Sequence, residues 1–171
     1  MSRSSLLRIV YALLTLSVLL LDQATKLMVT SRMVLWSTKP VIPGLLHITL
    51  VQNRGALFGL FHDLADPYRS TLFTVVPVLA IVLMLVFQYR TTIDDAATQS
   101  GLALILGGAL GNLVDRLRLG YVIDFVDVFA GDHHWPAFNV ADSCICIGVA
   151  LLVIDLLARG WHRQPALPPG S

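Results

Sequence analysis

Two short stretches of the sequence place an aspartate within an otherwise apolar run. Asp142 opens the mostly apolar run that follows in FNVADSCICIG (138–148), and Asp124 has an apolar neighbour on each side in YVIDFVDVF (121–129). An ionisable side chain is costly at membrane depth, so its presence there favours a functional role. Two carboxylic acids held close together share one proton, and such a pair can activate water and polarise a carbonyl. This is the chemistry of an aspartic peptidase.

Each acid also has a simpler interpretation, and the sequence leaves both open. Asn139-x-x-Asp142 has the spacing of a capping box, with Asn139 as the N-cap and a carboxylate that also favours the helix dipole. Asp124 is equally explained as an ordinary interfacial acid. Asp127 is its rival, because it would share a helical face with Asp124 or lie on the opposite face of a strand. Capping and catalysis are compatible roles for Asp142.

Further polar residues fall at helical spacings near the ends of apolar segments. Asn112, Asp115 and Arg116 lie at i, i+3 and i+4, so they share one face of a helix. We predict a structural ion pair between Asp115 and Arg116. Asp22 and Lys26 lie at i and i+4, which also favours a structural pair.

The stretch Asn53-Arg54-Gly55 is typical of a turn between strands, although the same residues are candidates for the polar cluster. His133 and His134 are adjacent, and no metal-binding spacing such as HExxH accompanies them. We therefore predict no metal site. A carboxylate pair requires no cofactor.

The composition points to the membrane. Of the 171 residues, 56% are hydrophobic and 13% are charged, and the charged share is about half that of globular proteins. The net charge of +1 provides no electrostatic attraction to nucleic acid. We predict one integral membrane domain over residues 1–160 and a disordered tail over residues 161–171.

Four apolar segments are long enough to span a bilayer, and the third contains the small-residue stripe LGGALGN, which is suited to close helix contact. The segment between the first two spans (23–70) is rich enough in Ile, Thr and Val to predict short strands. The predicted fold class is an all-α membrane protein with four transmembrane helices and a small extracytoplasmic β-rich segment. Four spans place both termini on one side of the membrane and the polar residues described above on the other. The predicted spans are about 6–22, 71–88, 100–118 and 139–158.

At this point a family resemblance is evident. The chain resembles the bacterial lipoprotein signal peptidases, also called signal peptidase II, and the matching motifs follow the family's order over nearly the whole membrane domain. The one departure is the loop GDHHWPAF, which is variable in such proteins. The matching motifs are DQATK (22–26), NRGALFG (53–59), GGALGNLVDR (107–116), GYVIDF (120–125) and FNVADSCICIG (138–148).

The resemblance implies an aspartic endopeptidase that removes the signal peptide from diacylglyceryl-modified prolipoproteins by cutting just before the lipidated cysteine. It implies that Asp124 and Asp142 are the catalytic pair. Other residues are expected to bind substrate or to support the site, either through the resemblance or through the polar patterns above. These residues are Asp22, Lys26, Asn53, Arg54, Asn112, Asp115, Arg116 and Asn139.

The resemblance also implies a location and partners. The protein would lie in the bacterial inner membrane, with both termini cytoplasmic and the site facing the periplasm, an orientation that the distribution of Lys and Arg does not decide. Membrane lipid and globomycin-type inhibitors are expected partners, and nucleic acid is not.

Two other classes of protein remain alternatives. A small polytopic carrier would also hold intramembrane acids, but here the polar residues cluster on one face, and Asp155 is the only interior candidate beyond it. A non-catalytic membrane protein that binds lipidated peptides would keep a polar pocket but would not need both acids.

Overall fold

The computed structural model describes residues 2–55 and 66–162. Four helices occupy most of this part of the chain, and each is long and apolar enough to cross a membrane. Four short strands form a small antiparallel sheet. The predicted fold class is therefore confirmed. The elements in chain order are α1 (Arg3–Arg32), β1 (Thr38–Ile42), β2 (Leu46–Asn53), α2 (Asp66–Arg90), α3 (Ala96–Leu119), β3 (Val122–Ala130), β4 (His133–His134) and α4 (Val140–His162).

The first helix is longer than the predicted span. It continues past residue 22 to Arg32, so Asp22 and Lys26 lie within α1. Both side chains are buried, and their polarity therefore marks an internal contact of the helix and not its end. At the other end of the chain, α4 includes residues 161 and 162, and the rest of the predicted tail lies outside the described residues.

The third helix is the centre of the bundle, because α1, α2 and α4 all pack against it. In its membrane-spanning window 61% of the residues are buried, against 11%, 6% and 11% for α1, α2 and α4. Large apolar side chains such as Leu13, Leu83 and Leu156 point outwards from these three helices, which is the arrangement expected for contact with lipid.

Glycines let α3 approach its neighbours closely. A Cβ added at Gly107 would lie 2.6 Å from the Cβ of Val18 on α1, and one added at Gly148 on α4 would lie 2.6 Å from the carbonyl oxygen of Gly101. Contacts this short are possible only without a side chain, as in small-residue helix interfaces in membranes. The approach brings the start of α4 against the second half of α3.

The strand β3 follows α3 almost directly. Gly120 ends the helix in the left-handed conformation (φ 78°), and its N–H donates to the carbonyl of Arg116. Sequence reasoning left Asp124 and Asp127 on either a helix or a strand. They lie on β3, three residues apart, so they are directed to opposite faces of the sheet.

The sheet has the order β1-β2-β3-β4. It joins the first loop, between α1 and α2, to the third loop, between α3 and α4. Val51 on β2 lies opposite Asp124 on β3. Beneath the pairing, Leu50, Ile123 and Phe125 form a small apolar core. Strands were predicted in the first loop but not in the third, where β3 and β4 lie. The sheet thus stands at the end of the bundle where α3 finishes and α4 begins.

Candidate active site

Asp124 and Asp142 come from different elements and meet at a single residue, Asn139. Asp124 is the third residue of β3, and Asp142 lies in the first turn of α4. The side-chain Nδ2 of Asn139 donates to Asp124 Oδ1 at 2.7 Å, and its backbone N–H donates to Asp142 Oδ2 at 3.2 Å. Asn139 is completely buried and Asp124 is 2% exposed. One asparagine therefore fixes the two carboxylates relative to each other.

A second asparagine, Asn112 on α3, binds Asp142 from the other side. Its Nδ2 donates to Asp142 Oδ1 at 2.8 Å. Its Oδ1 accepts from Asn139 Nδ2 at 3.1 Å and from Lys26 Nζ at 3.0 Å. Because two donors face the oxygen of Asn112, its amide nitrogen must face the carboxylate.

Asn53, the last residue of β2, completes the surroundings of Asp124. Its Nδ2 donates to Asp124 Oδ2 at 2.9 Å, while its Oδ1 accepts from the N–H of Gly55 at 2.9 Å. Gly55 has a φ of 90°, a conformation that glycine adopts readily. The predicted turn and the predicted polar contact are therefore one arrangement. Residues 56–59 of the NRGALFG motif lie outside the described part of the chain.

The surroundings of Asp124 raise the pKa of its carboxyl group towards neutral pH. Burial is the main cause and raises the pKa of Asp124 to about 6, and the negative charge of Asp142 acts in the same direction. Hydrogen bonds from Asn53 and Asn139 and the positive charge of Lys26 oppose this rise in pKa. A buried carboxyl group that titrates near neutral pH beside a second carboxylate is typical of an acid–base centre.

Asp142 also caps its helix, as its spacing from Asn139 predicted. Asn139 Oδ1 accepts from the N–H of Asp142 at 2.9 Å, while Asp142 Oδ2 accepts from the N–H of Asn139. This reciprocal pair is a capping box. Oδ2 of Asp142 faces the helix end and Oδ1 faces Asn112. The contacts of Asp142 are therefore compatible both with helix capping and with a role in the acid pair.

A buried ion cluster lies behind the two acids. Lys26 Nζ is 2.8 Å from a carboxylate oxygen of Asp22 and 2.8 Å from one of Asp115. The predicted pair of Asp22 and Lys26 is present. The predicted pair of Asp115 and Arg116 is wrong, because Asp115 forms its ion pair with Lys26 across the interface between α1 and α3. Neighbouring residues on a helix diverge by about 100°, so the facing helix provides the better partner.

The same two carboxylates hold the backbone beside each acid. Asp115 Oδ2 accepts from the N–H of Ile123 at 3.1 Å, and Ile123 immediately precedes Asp124. Asp22 Oδ1 accepts from the N–H of Ala141 at 3.0 Å, and Ala141 immediately precedes Asp142. The ion cluster therefore fixes the positions of β3 and α4 relative to each other.

Sequence reasoning missed Gln23 in this cluster. Its Nε2 donates to Asp115 Oδ1 at 3.0 Å, to Asp22 Oδ2 at 3.2 Å and to the carbonyl of Gly111 at 3.2 Å. The sequence did contain a signal for Gln23, since this residue lies in the DQATK motif together with the predicted site residues Asp22 and Lys26.

Two predicted site residues lie at the edge of the cluster. Arg116 is half-buried, and its guanidinium interacts electrostatically with Asp142, Asp124 and Asp115. Arg54 is exposed, one residue after Asn53. Arg116 therefore contributes a positive charge near both acids, whereas Arg54 lies at the surface of the site.

Asp127 and Asp155 form their contacts away from Asp124 and Asp142. Asp127 Oδ1 is 2.8 Å from Nδ1 of His134. Asp155, near the opposite end of α4, forms an ion pair with Arg159 at 2.7 Å and accepts from the hydroxyl of Thr98 at 3.1 Å. Asp155 therefore links α4 to the start of α3, and its contacts give no support to a carrier pathway.

The fold and the site define a polytopic membrane protein with a buried pair of carboxylates at one end of its helix bundle. The family model described as signal peptidase (SPase) II matches residues 14–158. The chain therefore belongs to the signal peptidase II family, and it is a membrane peptidase, a hydrolase.

Individual relatives agree with this assignment. The chain is 46% identical to a lipoprotein signal peptidase of Geobacter sulfurreducens over 91% of this chain and 96% of the relative. It is 45% identical to one of Syntrophus aciditrophicus over 86% of this chain and 91% of the relative. A solved bacterial membrane enzyme superposes with a TM-score of 0.77 at 32% identity, covering 93% of this chain and 94% of that enzyme.

Proposed function

We propose that this protein removes the signal peptide from diacylglyceryl-modified prolipoproteins, with Asp124 and Asp142 as its catalytic pair. The observation that carries the assignment is Asn139, which binds one carboxylate with its side chain and the other with its backbone N–H. The similarity to lipoprotein signal peptidases of other bacteria supports the substrate class. Cleavage just before the lipidated cysteine is the specificity that the family resemblance implies.

The proposed reaction uses one proton shared by the two acids. The ionised carboxylate takes a proton from water while the protonated one donates to the oxygen of the scissile carbonyl. A C–O bond forms and gives a tetrahedral intermediate. This intermediate collapses with cleavage of the C–N bond, as the acid that took the water proton passes it to the amine of the lipidated cysteine. The other acid regains its proton from the collapsing intermediate. The pair titrates as a unit, so the shared proton is assigned to neither residue.

The neighbouring polar groups have supporting roles in this proposal. Asn53, Asn112 and Asn139 each present an amide N–H to a carboxylate, which holds both acids in place. The charge of Arg116 stabilises negative charge that develops near the pair. The exposed side chain of Arg54 is in a position to contact the substrate.

We place the site on the periplasmic side of the bacterial inner membrane, with both termini in the cytoplasm. The family resemblance supports this orientation. The position of the two acids at one end of the bundle agrees with a site at a membrane surface, because the proposed substrate is a membrane helix with a lipid next to its scissile bond. Prolipoproteins, membrane lipid and globomycin-type inhibitors are the partners that follow, and the inhibitors would occupy the same pocket as the substrate.

The first experiment is a gel-shift cleavage assay in detergent with a diacylglyceryl-modified prolipoprotein. Asp124→Asn and Asp142→Asn are expected to lower kcat/KM by at least about 10³-fold, the order of loss when one member of a catalytic unit is removed. Asp127→Asn is the matched control, because Asp127 lies on the same strand as Asp124 but contacts His134.

The outcomes are distinct. If a folded Asp124→Asn or Asp142→Asn variant still cuts at the parent rate, the assigned pair is wrong and Asp22 and Asp115 are the next acids to test. If the parent binds the lipidated peptide without cutting it, the non-catalytic binding protein becomes the better interpretation.

A further inference from the structure

A cavity of about 440 Å³ lies at the end of the bundle opposite to the acid pair. Its walls come from the first turns of α1, the last turns of α2, the loop that follows α2 and the start of α3. Both α1 and α2 pack against α3, and the cavity is the space that they leave between them. All of its walls lie close to helix ends, so it is at the level of one membrane surface.

Gln99 closes the back of this cavity with a buried amide that is only partly satisfied. Its side-chain Nε2 donates to the carbonyls of Gln88 and Thr91, each at 3.2 Å, and the residue is 1% exposed. Because both partners are acceptors, the amide nitrogen must face them and Oε1 must point away. Among the residues that the structure describes, Oε1 has no hydrogen-bond donor.

A buried carbonyl oxygen without a donor is unfavourable. Gln99 lines the cavity, but its Oε1 is itself buried, so this oxygen lies behind the wall and not on its surface. The groups that a ligand can reach therefore belong to the other lining residues, among them Arg8.

Arg8 provides a positive charge on another wall of the cavity. Its side chain is exposed, and no carboxylate of residues 2–55 and 66–162 lies within ion-pair distance of it. By contrast, Arg3 pairs with Asp94 at 3.4 Å on the same side of the membrane. An unpaired guanidinium at a membrane surface is suited to a phosphate.

We propose that this cavity binds a glycerophospholipid whose headgroup carries a net negative charge. Arg8 binds the phosphate, and an acyl chain lies along the apolar wall that includes Ala12 and Leu85. Basic pockets between transmembrane helices at this depth are typical sites for acidic lipid headgroups. A cationic peptide segment is disfavoured, because Arg8 would repel it. The bound lipid joins α1 to α2 and is separate from the proposed peptidase site.

The test is native mass spectrometry of the delipidated full-length protein with added phosphatidylglycerol. Phosphatidylcholine is the matched lipid, since its headgroup carries no net charge, and glycerol 3-phosphate is the matched soluble compound. We expect about fivefold more bound phosphatidylglycerol than phosphatidylcholine, the order of difference that attraction between one arginine and a net negative headgroup supplies. Glycerol 3-phosphate alone should not be retained.

Three variants locate the site. Arg8→Gln should lower the retention of phosphatidylglycerol by about tenfold. Ala12→Trp should abolish it by filling the cavity. Arg90→Gln is the matched control, because Arg90 is an arginine at the same end of the bundle that does not line the cavity. Prolipoprotein cleavage should be unchanged in all three, which shows that they are folded.

Several outcomes would overturn the proposal. Equal retention of the two lipids would exclude the headgroup contacts, and retention of glycerol 3-phosphate alone would exclude a lipid as the source. Parent-like retention in both Arg8→Gln and Ala12→Trp would exclude the cavity. If Ala12→Trp fails to fold, Arg8→Gln decides alone, because the exposed Arg8 side chain has no internal partner to lose.

Discussion

The two oxygens of Asp124 are each held by an amide of an asparagine, Asn53 on one side and Asn139 on the other. Amide donors stabilise the ionised carboxylate, whereas burial and the charge of Asp142 stabilise the protonated form. The pKa of about 6 is the result of this opposition. Removing a single donor therefore changes the chemistry of the site without changing either acid.

Asn53→Ala tests this balance. Loss of the donor removes support for the ionised form, so the pKa of Asp124 should rise further and its proton should be retained to higher pH. The parent is expected to have an inflection of log(kcat/KM) near pH 6, and this inflection should move to higher pH in the variant. Cleavage rates measured from about pH 5 to pH 8 provide the comparison.

Gln52→Ala is the control for that experiment, because Gln52 precedes Asn53 on β2 and its side chain points to the other face of the strand. It should leave the inflection where the parent has it. An inflection in Asn53→Ala that stays in place, or that moves to lower pH, would show that the amide of Asn53 does not influence the titration of the acid pair.

Local contacts of these residues were predictable from the sequence, and distant contacts were not. The capping box of Asn139 and Asp142 follows from a spacing of three residues. The contact between Asn53 and Asp124 joins positions 71 residues apart, so no local pattern records it. The predicted pair of Asp115 and Arg116 is wrong for the same reason. The actual partner of Asp115 is Lys26, which lies on another helix and far away in the sequence.

The ion cluster links four elements, since Lys26 on α1 pairs with Asp115 on α3, and the acids of the cluster accept from the backbone of β3 and α4. Lys26→Met leaves Asp22 and Asp115 buried without a cation. Breaking a buried ion pair in this way costs about 3–5 kcal/mol, so the variant should unfold at a clearly lower temperature in detergent. Circular dichroism during heating measures the change.

Lys39→Met is the comparison for this variant, because Lys39 is an exposed lysine on β1. The triple variant Asp22→Asn/Lys26→Met/Asp115→Asn should recover part of the lost stability, since it removes the unpaired charges together with the cation. If Lys26→Met proves as stable as Lys39→Met, the cluster does not hold the elements together.

The close contact between α3 and α4 should not tolerate an added side chain. A Cβ at Gly148 would lie 2.6 Å from the backbone oxygen of Gly101 and 2.6 Å from Cγ1 of Ile105. Backbone cannot move aside as a flexible side chain can, so Gly148→Ala should separate the helices and lower stability by about 1–3 kcal/mol. The unfolding temperature should fall. The cleavage rate should fall as well, because α4 carries Asp142.

The control for Gly148→Ala is Ala150→Leu, a larger change at an exposed position on the same helix. It should leave both unfolding temperature and cleavage unchanged. Equal losses in the two variants would show that α4 tolerates no substitution in this region, and would remove the case for a specific close contact.

Helices were easier to predict than strands. Apolar length identified the four spans, and the stripe LGGALGN identified the helix with close contacts. The strand β3 had no such signal, because Val122, Ile123 and Phe125 are all buried and the alternation of one buried and one exposed face is lost. Its role became clear only from its pairing with β2.

The two acids lie at one end of the bundle, and the start of α1 and the end of α4 lie at the other, which gives the proposed orientation a direct test. In a background without Cys144 and Cys146, Asp132→Cys places a thiol on the exposed turn between β3 and β4, and Thr92→Cys places one on the exposed loop between α2 and α3. An impermeant maleimide should label the Asp132→Cys variant in intact spheroplasts and the Thr92→Cys variant only after lysis. The reverse pattern would overturn the orientation and leave the assignment of the catalytic pair untouched.

The central position of α3 has a consequence for how the protein is made. Of the four candidate spans α3 is the least apolar and by far the most buried, and it carries Asn112, Asp115 and Arg116. A helix with these side chains is a poor candidate for release into lipid by itself as it leaves the translocon. Asp22 on α1 acquires its bond to Ala141 only when α4 has been synthesised. We therefore expect α3 to remain beside α1 at the insertion machinery until translation of α4 completes the bundle.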